Sequence, residues 1–65
     1  MTHSDKTTYI TAQINALKDE IWKLDCNAKA LSRAGLKERA EAIAKQSAEA
    51  QQLIDAFEEQ IKELT

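Results

Sequence analysis

The chain has 65 residues, a formal charge of −2, 43% hydrophobic and 31% charged residues, one glycine, one cysteine and no proline. A chain this short makes at most one domain and lies near the lower limit of independent stability. Its wealth of Ala, Glu, Lys and Gln is the profile of long helices or coiled coils and argues against strands and against a disordered chain.

Met1 to His3 read as a frayed end, with Ser4 or Asp5 as the helix N-cap, because either side chain can accept a hydrogen bond from a free backbone N–H. From Thr7 the apolar positions Ile10, Ile14, Leu17, Ile21, Leu24, Ala28 and Leu31 advance by alternating steps of three and four. That spacing places one residue per turn on a single stripe and predicts a helix over about 5–34.

Ala34-Gly35-Leu36 interrupts the pattern. Glycine has no Cβ to clash in the left-handed conformation that ends many helices, and an apolar residue commonly follows it. Gly35 is therefore expected to be a structural turn at 34–36, with Arg33 facing the negative end of the helix dipole. The competing possibility is a glycine inside one continuous helix.

Beyond the turn, Leu36, Ala40, Ile43, Ser47, Ala50, Ile54, Phe57, Ile61 and Leu64 repeat the same alternation, predicting a second helix over about 36–64. Folded back antiparallel, seam positions whose numbers sum to about 71 face one another. Leu31 then meets Ala40, Ala28 meets Ile43, Leu24 meets Ser47 and Ile21 meets Ala50, pairing large with small near the turn. The expected fold is all-α: residues 1–65 form a single antiparallel two-helix hairpin, which assembles into a four-helix bundle.

Charge is unevenly spread. Residues 28–48 carry Lys29, Arg33, Lys37, Arg39 and Lys45 against Glu38 and Glu41, whereas residues 49–65 carry Glu49, Asp55, Glu58, Glu59 and Glu63 against Lys62. The turn end is basic and the far end acidic, so two hairpins packed head to tail would set opposite charges together. A homodimer of that kind, burying Trp22, is the expected assembly.

Catalysis lacks its parts. His3 and Cys26 stand alone, and no glycine-rich phosphate loop is present. The adjacent acids Asp19-Glu20 and Glu58-Glu59 point in different directions around their helices. No catalytic residue, cofactor, metal or small-molecule substrate is expected. Cys26 cannot form an intrachain disulfide, and no apolar run exceeds Ala42-Ile43-Ala44. Neither a signal peptide nor a membrane span is expected, and the anticipated location is the cytoplasm.

Three large side chains lie off the seam. Trp22 sits on one flank toward Ala44 and Ala48, while Leu53, near Ala16 and Ala56, and Tyr9 sit on the other. Tryptophan is enriched among residues that dominate binding energy, so Trp22, Leu53 and Tyr9 are candidate partner-binding residues. The expected function is a non-enzymatic protein-binding module: an adaptor, chaperone-like subunit or inhibitor. Lys29, Arg33, Lys37 and Arg39 are candidate contacts for an acidic partner or for phosphate.

In length and heptad-hairpin architecture, over the whole chain, the sequence resembles the Rop-type plasmid copy-control hairpins. That resemblance implies a dimeric four-helix bundle. It also supplies the alternative function, a regulator binding structured RNA or DNA through the basic hinge. Small secretion chaperones and phage-encoded inhibitors are similar in size and shape.

Overall fold

The computed structural model describes residues 3–64. Helix α1 spans His3–Arg33 and helix α2 spans Lys37–Leu64, packed against each other as an antiparallel hairpin. Among the described residues there is no strand.

The turn forms by the mechanism the glycine suggests. Gly35 adopts φ +83°, its N–H donates to Ser32 O at 3.0 Å, and the Leu36 N–H donates to Leu31 O at 2.9 Å. These two bonds satisfy carbonyls that the end of α1 would otherwise leave open, the pairing of a Schellman cap. Leu36 C=O then accepts the Ala40 N–H at 3.0 Å, which starts α2 directly after the turn. Leu36 itself remains 42% exposed, so it serves as the cap's apolar residue and not as a seam layer.

At the other end, the sequence expectation needs correction. Helix α1 already includes His3, so Ser4 and Asp5 are inside the helix and not at its N-cap. Met1 and Thr2 lie outside the described residues. Asp5 occupies the first turn, where its charge opposes the positive end of the helix dipole.

The alternating three- and four-residue spacing is reproduced as burial. Ile10, Ile14, Leu24, Ala40 and Ile54 are buried, and the remaining stripe residues of both helices are half-buried, Leu36 excepted. Ile54, at 2% exposure, joins Ile10 and Ile14 in a cluster against which Leu17, Ile21, Phe57, Ile61 and Leu64 pack. The strongest packing therefore lies in the half away from the turn. In the half near it, Ala28, Ala40 and Ser47 offer little apolar surface.

The result is a thin rod of 49 × 14 × 13 Å with a radius of gyration of 15.0 Å. A compact chain of this length would have a radius near ~11 Å. Its accessible surface is 5066 Å², about 900 Å² more than the roughly 4,200 Å² expected for a compact monomer of its mass. Only about half of the unfolded chain's surface is buried, against about 60% for typical domains near this size.

Candidate functional site

Among the described residues, the features that could carry function are the two flanks of the rod and its turn end. Which flank a residue occupies follows from helix phase, at ~100° per residue. Tyr9 and Trp22, thirteen residues apart, lie more than ~100° apart around α1, one on each side of the outward-facing ridge that carries Cys26.

Trp22 is 65% exposed near the middle of the rod. Ala44 and Ala48, both exposed, share its flank from α2 and are too small to cover the indole. One turn along α1, Asp25 Oδ1 accepts a hydrogen bond from Ser47 Oγ at 3.3 Å, tying the two helices together beside the Trp22 flank. That cross-link was not anticipated from the sequence. The available signal was a small hydroxyl residue on the seam of α2, facing a carboxylate just off the seam of α1.

On the opposite flank Tyr9 is 61% and Leu53 47% exposed. An open groove of about 620 Å³ runs between the helices at the end away from the turn. Tyr9, Ile10, Phe57 and Leu64 line it, together with Lys6, Gln60 and Glu63. Gln13, on this flank, is half-buried although its polarity gave no reason to place it near the core. The three candidate partner-binding residues thus form two surfaces: Trp22 alone on one, Tyr9 with Leu53 on the other.

At the turn end Lys29, Arg33, Lys37 and Arg39 are all exposed. Lys37, Arg39 and the acidic Glu38 border a shallow depression with Gly35 and Leu36. The side chains are free to meet an anion, but Glu38 dilutes the field there, and the aromatic rings of Tyr9 and Trp22 lie elsewhere along the rod.

The Lys23 ammonium donates to Asp19 Oδ2 at 3.1 Å, one turn away on α1. This hydrogen bond and the carboxylate's charge hold Lys23 above the ordinary lysine pKa. Both groups are well exposed, as expected of a solvated face. Cys26 is exposed. Among the described residues, no group of three His, Cys, Asp or Glu side chains is placed to hold a metal ion, and no helix is long and apolar enough to cross a membrane.

Set against protein-family models, curated proteins and solved structures, the chain matches none of them.

Proposed function

We propose that this hairpin is a non-enzymatic protein-binding module of the cytoplasm, an adaptor, chaperone-like subunit or inhibitor, that offers its Trp22 flank to another protein. The observation that carries the proposal is the 65% exposure of an indole in mid-helix. The two exposed alanines beside it leave the ring uncovered and accessible to a partner side chain. Tryptophan in such a setting supplies a large contact area at the cost of freezing only two side-chain torsions, and such residues typically lose 2 kcal/mol or more of binding on truncation to alanine. The Ser47–Asp25 hydrogen bond holds the helices in register at that point, so the surface needs little reorganisation on binding.

Affinity capture from the native host, comparing the wild-type chain with Trp22→Ala, tests this. A specific protein retained by the wild type and lost at least tenfold in the variant, with unchanged helical content, is the expected result. Equal recovery by both would refute the Trp22 flank as the binding surface.

The alternative function, an RNA- or DNA-binding regulator using Lys29, Arg33, Lys37 and Arg39, draws on their common exposure at the turn end. It is the weaker proposal, because the cluster has no aromatic platform for bases and contains Glu38 and Glu41. Nucleic acid recovered in the same capture, and released steeply by salt, would favour it over the protein-binding reading.

A further inference from the structure

The flank opposite Trp22 has a different composition from the Trp22 flank, and its two ends are complementary to each other. It presents the large exposed residues Tyr9, at the far-end groove, and Leu53, nearer the middle of the rod, and no charge falls between Lys6 and Glu20 on its α1 side. Near the turn the same flank presents exposed Ala30, Ala34 and Ala42. Glu63 stands at the far end of this flank and Arg39 at the turn end, 24 residues apart in α2, or about 36 Å at 1.5 Å per residue. They cannot meet within one chain.

We infer that this flank docks on the same flank of a second copy, head to tail about a two-fold axis, leaving the Trp22 flank free. One register satisfies the surface. When facing α1 positions sum to 40 and facing α2 positions sum to 102, one two-fold axis serves both helices, given the hairpin's own sum of 71. Tyr9 then lies level with Leu31 of the second copy, one residue from Ala30, while Lys6 lies over Ala34, Gln60 over Ala42, and Leu53 beside Glu49. Arg39 pairs with Glu63 of the second copy, twice per dimer. Lys6 over Ala34, Gln60 over Ala42 and Gln46 over Ala56 set large residues against small ones, as interdigitating layers require. The basic turn end of each copy adjoins the acidic far end of the other, whereas a parallel arrangement would bring like ends together. The unfavourable contacts are Glu20 against Glu20 at the axis, with Lys23 one turn away on each copy, and Leu53 against the Glu49 carboxylate.

The surface area fits the same occupant. The rod exposes about 900 Å² beyond a compact monomer, close to the roughly 800 Å² per partner of a standard protein interface. This assembly differs from the dimer anticipated from sequence, which buried Trp22. It does not depend on the protein-binding proposal, since it occupies the other flank.

The test is sedimentation equilibrium at micromolar concentration and low salt on the full chain and three variants. Wild type is expected to be a dimer. Arg39→Glu should raise the dimer Kd about tenfold, since two ion pairs become two repulsions. The double variant Arg39→Glu/Glu63→Arg should restore it to within about threefold. Because the two residues are far apart in one chain, rescue can only arise between copies. Trp22→Ala should leave the Kd unchanged. A second readout is independent of affinity: in a Cys26→Ser background, Glu20→Cys should cross-link to itself under mild oxidation, because position 20 lies on the axis. A monomeric wild type, a dimer weakened by Trp22→Ala, or an Arg39→Glu defect that Glu63→Arg fails to rescue would each overturn the inference.

Discussion

Replacing Gly35 by alanine separates the hairpin from its competitor by the sign of the effect. In the structure Gly35 has φ +83°, and a Cβ added there meets no atom within 4 Å. Steric crowding therefore contributes nothing, and the cost is the intrinsic one of holding an L-residue in the left-handed region, about 1–2 kcal/mol. The more restricted unfolded chain of the variant returns up to ~1 kcal/mol of this. The net expectation is destabilisation by about 1 kcal/mol, or roughly 4–8 °C in Tm for a domain near this size. Asparagine tolerates the same conformation and should lose less. If the chain were one continuous helix, the same Gly35→Ala change would stabilise it by about 1 kcal/mol, because alanine is the best helix former and glycine one of the poorest. Urea denaturation followed by far-UV circular dichroism, at one fixed protein concentration, measures the difference. Stabilisation would refute the turn. A loss above ~3 kcal/mol would show that Gly35 makes a close contact that the open space around it denies.

Ile54→Ala should cost about 3 kcal/mol in the same assay, since Ile54 is the most fully buried side chain and large-to-small changes at such sites cost ~2–5 kcal/mol; a loss below ~1 kcal/mol would mean that the far-end cluster is not packed as described. Lys23 should titrate above an ordinary lysine, and Asp19→Asn should bring it down, because the hydrogen bond and then the charge of Asp19 sustain the shift. A folded-state pKa raised in this way contributes stability that is fully present below the unfolded-state value and lost as pH rises through the folded one. NMR titration of the Lys23 side chain in both proteins reads the change directly, and identical curves would refute the pairing.

Much of this architecture was legible because a heptad stripe is a direct statement of geometry. Ile10, Ile14, Leu24 and Ile54 recur at a period that only one face of a helix can satisfy, and all four are buried. Leu36 shares the spacing but not the burial, because its backbone closes the cap and the side chain is left at the tip of the rod. The start of α1 departs from the capping expectation for a related reason. A capping residue type shows where a helix can begin, and Ser4 or Asp5 can equally sit in a first turn, where acidic charge is favourable. The half-burial of Gln13 is not legible in an apolar periodicity, which passes over an amide, although its position beside the seam fixes that burial. The division of the off-seam side chains into two flanks is legible from helix phase carried over the thirteen residues from Tyr9 to Trp22. The groove that joins Tyr9 to α2 is not, because it depends on how far the two helices stand apart at the open end.

The uneven distribution of packing along the rod also governs how the hairpin closes. Contacts next to the turn are the easiest for a chain to make, since the loop they close is short. Here each early layer sets one small residue, Ala40, Ala28 or Ser47, against Leu31, Ile43 or Leu24 and gains less than the far-end layers, where Ile14 and Ile54, forty residues apart in sequence, belong to a cluster of large side chains. A partly zipped hairpin, closed at the turn and splayed at the far end, would have incurred much of the ordering cost before reaching the apolar cluster that offsets it. Folding should therefore be cooperative, with α1 and α2 coming together as whole elements. The ends most distant from the turn, where fraying is usual in helical hairpins, are then the place where the closed state is fastened.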